Sequence, residues 1–524
     1  MDELTAKPHR VARACNACKL RKVKCNGDVE RCQQCSHLNL KCIYSDIKAK
    51  PRSKTLRRGS VISAYKQETS IQQTSPSLQP ATSTILKAAS ASPVSPASAA
   101  FTPSTVPSTS SSDPSAHSPS THSQTAVAPL APCTQWDTPF FFGLVPDYLT
   151  AVYPVHPILS EPEVRDTIAK MSTSREYAAF CHAYAAVTIN LAQRSPLDES
   201  PAVSERIVAL VNHAIRIKPP MELDHHATVH KVLTCIFLEI CLLSVQKMDL
   251  AFFYQREAAT LLHMMRIEND DIVAKMSLSE RARKQRLYWE VFIHERFIAI
   301  VDYRPTVLTE LRNLPEYDSS LPQGVNEGFI QIIKIFRLLD SDFLRYWQDS
   351  RSIVNGVWFD QKHRELDDDL RDSERDSHVL SPMQQADLII TRQWLRTLLW
   401  QLAMSKCLLS LSPEPSRSYM SLEMPVMLSQ QLRIFVSSMD PKAIGIHGTG
   451  IFRKLFEICD TIADVIIHVP APTHQESDQR LDDFLFLTRF LFTFPNTKPI
   501  QRQILQRKLD TLKELHPKCI YPPP

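Results

Sequence analysis

The sequence predicts three segments of unlike kind: a small cysteine-built module of two short helices and loops, a linker without a fold of its own, and a large all-α body. Three observations carry this. Six of the 13 cysteines fall within the first 42 residues at a repeated spacing. Ser, Thr, Pro and Ala crowd the stretch from 66 to 134, almost without charge. From about 135 onward apolar residues recur with helical period, in a chain of 524 residues with only 9 glycines, too few to supply hairpins, phosphate-cradling loops or Rossmann turns. The expected boundaries are 10–45 for the module, 46–65 for a basic linker, 66–134 for the Ser/Thr/Pro/Ala-rich linker and 135–524 for the helical body.

The module comes first. Cys15-x2-Cys18-x6-Cys25 is followed by Cys32-x2-Cys35-x6-Cys42. A Cys-x2-Cys pair sets two thiolates on one helical turn, and a third six residues on folds back to the same ion. Each half thus offers three sulfurs where zinc takes four. Six thiolates complete two tetrahedra only if two sulfurs bridge both ions, which predicts two zincs per chain. A segment this short holds no sufficient core without metal. Read as disulfides, the same cysteines need an oxidising compartment. The opening Met-Asp-Glu-Leu-Thr has neither the basic nor the apolar region of a secretory signal. The other cysteines (Cys133, Cys181, Cys235, Cys241, Cys407, Cys459 and Cys519) are scattered and read as ordinary reduced thiols.

The two halves carry different charge. Between Cys18 and Cys25 lie Lys19, Leu20, Arg21, Lys22, Val23 and Lys24, whereas the corresponding six residues after Cys35 hold one lysine, Lys41. The scaffold is pseudo-symmetric, but only its first half is charged to meet phosphates and base edges.

These residues resemble the fungal Zn₂Cys₆ binuclear cluster activators, whose pattern is Cys-x2-Cys-x6-Cys, a variable loop, and the same again. The resemblance implies that Cys15 and Cys32 bridge the two ions, with Cys18, Cys25, Cys35 and Cys42 terminal. It also implies that Arg21 and Lys22 read a CGG triplet in the major groove of double-stranded DNA, with Lys19 and Lys24 nearer the phosphates. Family members often have Asp after the third cysteine and Pro two before the fourth. Here Asn26 and Glu30 stand there, so the loop from Asn26 to Arg31 is expected to turn differently.

Charge along the chain agrees. Residues 1–60 hold 15 Lys and Arg against 5 Asp and Glu, and the remaining residues 45 against 51. A basic arm on a mildly acidic body is the layout of a nucleic-acid reader with a separate partner domain. Lys48, Lys50, Arg52 and Lys54, with Arg57 and Arg58, extend the basic run; such a run tracks a DNA backbone and also serves as a nuclear import signal. The Ser/Thr/Pro/Ala-rich stretch buries too little apolar area to offset its ordering entropy and is expected to be disordered. Val61, Ile62 and Tyr65 begin no sustained heptad, so no zipper stands beside the module, and any self-association is expected through the helical body. The most apolar stretch, Val232 to Leu243, is interrupted by Glu239 and is far shorter than a bilayer span, so no membrane segment is expected.

In the body, Ala227 to Ile267 presents too broad an apolar surface for one exposed helix and reads as two core helices. Trp289, Phe292, Ile293, Phe297 and Ile300 share a helical face, in a helix stopped by Pro305. Further helices are expected over Phe329–Trp347, Met383–Leu411, Val426–Met439, Phe452–His468, Leu481–Phe494 and Gln501–Leu515. The body resembles the fungal regulatory (middle homology) domain: Tyr153-Pro154-Val155-His156-Pro157 looks like its His-Pro entry, and Arg286 through Arg296 with Arg304-Pro305 like its most recognisable helix. That domain usually has Gly before Arg-Pro, where this chain has Tyr303. Trp289 and Arg296 read as a core aromatic and a buried or capping guanidinium.

No catalytic constellation is found. Asp367-Asp368-Asp369, with Asp372, Glu374 and Asp376, is similar to the magnesium motifs of helical terpene cyclases, but no second motif accompanies it and a solvated loop is expected. His226 and His230 read as an ordinary helix start, and His294-Glu295 lacks the second His of a metalloprotease motif. The predicted function is a nuclear, zinc-dependent, sequence-specific DNA-binding transcription factor of a fungus, an activator by resemblance, whose helical body dimerises or meets the transcription machinery. The alternative from a different class is a helical enzyme or metabolite-binding protein with an N-terminal zinc interaction module. One-sided basic charge and the missing catalytic set separate the two.

Overall fold

A computed structural model describes residues 14–21, 25, 27–28, 31–37, 42–44, 136–192, 201–220, 226–409, 419–494 and 499–515. They form two compact units that divide at Leu130 and Ala131. The first contains α1 (Asn16–Arg21) and α2 (Gln33–His37), each starting one residue after the leading cysteine of its half. The basic run from 48 to 58 and the stretch 66–134 lie outside the described residues.

The second unit is all helix among the described residues. In order come α3 (Thr138–Gly143), α4 (Val145–Ala151), α5 (Glu161–Ala169), α6 (Arg175–Ala192), α7 (Pro201–Ile217), α8 (Val229–Ser244), α9 (Met248–Met265), α10 (Asp270–Val273), α11 (Leu278–Val301), α12 (Gln323–Arg337), α13 (Ser341–Gln348), α14 (Gly356–Asp376), α15 (Pro382–Ser405), α16 (Met424–Ser438), α17 (Pro441–Gly445), α18 (Gly448–His468), α19 (His474–Phe492) and α20 (Pro499–Leu515).

Local chemistry sets the boundaries. The Thr228 hydroxyl accepts from the Lys231 amide and starts α8, and Ser277 does the same for α11 through Glu280. Ser381 and Gln384 exchange backbone and side-chain bonds at the head of α15. The apolar run over 229–265 is two helices, as expected, broken at Gln246, whose φ of 65° leaves the helical region. The single helix expected over 329–347 is instead two. The Asp340 carboxylate accepts from the Phe343 amide at 2.7 Å, ending one helix and capping the next.

A second correction concerns Asp367, Asp368 and Asp369. They lie within α14, not in a loop. Asp369 bonds Arg392 at 2.8 Å and Asp367 bonds Arg396 at 2.9 Å, so this face of α14 is tied to α15 by charge. Cys181, Cys235, Cys241 and Cys459 are buried thiols, while Cys407 is exposed.

The helices pack in two groups. In the first, α6 lies against α7 and α8, and α8 pairs with α9. In the second, α15 packs on α18, which also meets α16, α19 and α20. Helices α11 and α12 join the groups, α11 against α8 and α9, α12 against α15. One continuous apolar core runs through both. Trp289 is fully buried at its middle and donates its indole N–H to the Asn313 carbonyl at 3.3 Å. Arg296 donates to Glu295 and the Leu308 carbonyl, both at 2.8 Å, over the Phe292 ring. The core aromatic expected at Trp289 is present, and of the buried or capping guanidinium expected at Arg296 the structure shows the buried form.

Candidate metal centre and nucleic-acid interface

The two halves of the N-terminal module repeat one local geometry. The Cys18 amide donates to the Cys15 sulfur at 3.4 Å, and the Cys35 amide to the Cys32 sulfur at 3.4 Å. Each leading cysteine thus sits at the start of a helical turn with its sulfur turned inward. The halves meet through sulfur: Cys15 lies 3.7 Å from Cys32 and 3.5 Å from Cys35, and Cys18 lies 3.5 Å from Cys32. All four sulfurs fall within 4.8 Å of one another. Cys15 and Cys32 are the two that approach both cysteines of the opposite pair, the geometry a shared ligand needs.

The flanking thiols close the group. The Cys32 amide donates to the Cys42 sulfur at 3.3 Å, and Cys25 lies 3.6 Å from the Tyr44 hydroxyl. Tyr44 in turn donates to the Asp28 carbonyl at 2.9 Å. Nothing in the spacing singled out Tyr44, which ties the inter-half loop to the last cysteine's strand of chain. A disulfide requires sulfurs about 2.05 Å apart, and none of these pairs is bonded. Tetrahedral zinc with bonds of about 2.3 Å places its sulfurs roughly 3.8 Å apart, close to the separations found. The donor set therefore fits zinc. Burial and the neighbouring sulfurs push the Cys18 and Cys35 thiols well above the usual range.

Lys19 is exposed on α1, and Arg21 is that helix's last residue. Lys22 and Lys24, with Lys48, Lys50, Arg52 and Lys54, lie outside the described residues.

The helical body contains a second polar centre. Glu290 and His294 sit one turn apart on α11, with the His294 Nε2 3.0 Å from Glu290 Oε1. The His156 Nδ1 lies 2.5 Å from the same oxygen, and the His294 Nδ1 lies 2.6 Å from Glu239 Oε2 on α8. Burial would raise the Glu290 carboxyl, but His156 and His294 bring it down to about 2. Burial would lower His294, but Glu239 and Glu290 push it up to about 10. His156, Glu290 and His294 line a cavity of about 150 Å³, together with Asp387, Lys454 and Thr449. The sequence brought none of this together, because His156 and Glu290 are 134 positions apart. One signal was present: Glu239 interrupts an otherwise apolar run, and a carboxylate there must find a buried partner.

Residues 13–51 match the fungal Zn(2)-Cys(6) binuclear cluster domain. Over 374 residues, 70% of this chain and 71% of the relative, the sequence is 24% identical to the probable sucrose utilization protein SUC1 of Candida albicans. Over 355 residues, 66% of this chain and 73% of the relative, it is 18% identical to the respiratory transcription factor ZNF1 of Saccharomyces cerevisiae. A shorter match of 49 residues, 9% of this chain and 6% of the relative, is 35% identical to an ABC-transporter-regulating transcription factor of Aspergillus fumigatus. No helix among the described residues is long and apolar enough to cross a membrane.

Proposed function

We infer, from the premise that this chain carries a fungal Zn(2)-Cys(6) binuclear cluster domain holding two zinc ions and is a DNA-binding regulator of transcription rather than an enzyme, that it acts in the nucleus as a sequence-specific reader of CGG-type triplets. The observation that carries the reading is the pairing of a four-sulfur centre with a charge asymmetry in the sequence, four basic residues between Cys18 and Cys25 against one between Cys35 and Cys42. Cys15 and Cys32 would be shared by the two ions, and Cys18, Cys25, Cys35 and Cys42 would supply the remaining ligands. The zincs supply rigidity. They would fix α1 so that Arg21 and Lys22 meet base edges while Lys19 and Lys24 meet phosphates. Lys48, Lys50, Arg52 and Lys54 add sequence-independent attraction along the backbone.

Activation is the output this reading assigns, through contacts of the helical body with the transcription machinery, and self-association is assigned to that body as well. Two relatives matching most of the chain are named for sucrose utilization and for respiration, which supports targets in carbon metabolism. Selection of bound sequences from a random DNA pool with the full chain tests the reading. CGG triplets should be enriched, and a chelator should abolish the enrichment. Enrichment of an unrelated sequence, or binding that survives removal of zinc, rejects it.

A further inference from the structure

We propose that the helical body binds a divalent transition metal of the zinc class at a site formed by His156, Glu290 and His294. The three donor atoms, His156 Nδ1, Glu290 Oε1 and His294 Nε2, lie within 4.8 Å of one another, although they come from separate parts of the chain. Both imidazoles direct a nitrogen at one and the same oxygen of Glu290. Two nitrogens and one carboxylate oxygen form a donor set that suits zinc, cobalt or nickel.

Three further features belong to a metal site. The remote nitrogen of His294 is held by Glu239, itself fully buried, in the carboxylate–histidine arrangement that orients metal-bound imidazoles. The second oxygen of Glu239 is buried without a hydrogen-bond partner, a sign that this end carries more negative charge than local donors absorb. Third, the cluster faces the cavity of about 150 Å³, which leaves an open coordination position for water or a ligand atom.

Charge points the same way. Metal ligation takes the imidazoles in their neutral form, so Glu239 and Glu290 then leave two negative charges for the ion to meet. Lys454, which lines the same cavity, is committed to Asp387 at 2.9 Å, and Arg453 donates to Gln246 and Met248. One dication balances Glu239 and Glu290. Zinc bonds of about 2.1 Å place its ligand atoms roughly 3.4 Å apart, so the imidazoles and Glu290 separate by less than about 1 Å to admit the ion.

The site is independent of the cysteine module, and cobalt distinguishes the two. Full-length reduced protein is stripped with chelator and titrated with Co²⁺. Cobalt on thiolates absorbs strongly in the near ultraviolet by sulfur-to-metal charge transfer, whereas cobalt on nitrogen and oxygen shows only weak visible bands. The expected result is a cobalt equivalent beyond those that develop charge transfer, with visible bands alone. Glu239→Gln should weaken that equivalent by about 10- to 100-fold and leave the thiolate spectrum unchanged. His294→Ala should remove it. If all bound cobalt carries charge transfer in the wild type, or if Glu239→Gln binds the additional equivalent as tightly as wild type, the four side chains share protons instead and the proposal fails. The wild-type spectrum decides the matter even if His294→Ala does not fold.

Discussion

The two folded regions of this chain are stabilised in opposite ways. The N-terminal module has a buried core that is almost entirely sulfur: five of its cysteines and Ala17 are its buried apolar residues. The body has a continuous core of aliphatic and aromatic side chains running through nearly all of its helices. In the module a few ligand bonds replace burial, so its fold is all-or-none with metal. In the body many contacts share the load, so single changes weaken it without abolishing it. The module is small and lies in the basic N-terminal part of the chain, while the body is large and lies in the mildly acidic remainder.

The largest effect should come from removing zinc. Structural zinc supplies about 10–16 kcal/mol of apparent binding free energy at pH 7, more than a module of this size can replace. Chelation, Cys15→Ala or Cys32→Ala should therefore abolish DNA binding while the helical circular dichroism of the body persists. A body that loses its helicity on the same treatment would show that the regions are not separately stabilised. Next in size is the body's own core. Trp289→Ala should cost about 3–5 kcal/mol and leave the Asn313 carbonyl without its donor. Calorimetry should show a lower midpoint for the body, with two zincs and unchanged triplet preference in the module. A smaller effect lies at the DNA surface. Lys22→Ala and Arg21→Ala should each remove roughly 1–3 kcal/mol of discrimination between CGG and mutated triplets. Lys48→Ala and Lys54→Ala should weaken all sequences alike and flatten the salt dependence. If Lys22→Ala keeps full preference in competition assays, the reading of base contacts is wrong.

The same contrast explains what the sequence disclosed. Metal ligation is local: Cys15 to Cys42 encode their own centre by spacing, and the meeting of the four leading sulfurs follows from it. Helices in the body were legible where a single apolar face repeats, as along α18. They were missed where the face is mixed. Helix α6 is buried along most of its length and has no clear stripe, and α14 is so acidic that it read as solvated chain. Two of its aspartates, Asp369 and Asp367, pair with Arg392 and Arg396, residues from a different helix. The cluster of His156, Glu239, Glu290 and His294 was illegible for the same reason, since no spacing connects four residues that only tertiary packing assembles.

The smallest expected effect sits where this chain departs from the pattern it resembles. Tyr303 occupies a place usually held by glycine, and its φ is 56°. That is the left-handed region, which costs a residue with a Cβ roughly 1–2 kcal/mol. The ring is stacked on Trp347, with centroids 6.1 Å apart and planes 10° apart. Such a pair returns about 0.5–1.5 kcal/mol. Tyr303→Gly relieves the backbone but loses the stack, and it also frees the unfolded chain by about 0.4–1 kcal/mol. These terms nearly cancel, so the variant's stability should lie within about 1 kcal/mol of wild type. Tyr303→Ala keeps the strain and loses the stack, so it should be the less stable of the two. Denaturant midpoints of both variants measure the balance. If the alanine variant matches or exceeds the glycine variant, the left-handed backbone is not what makes glycine favourable here.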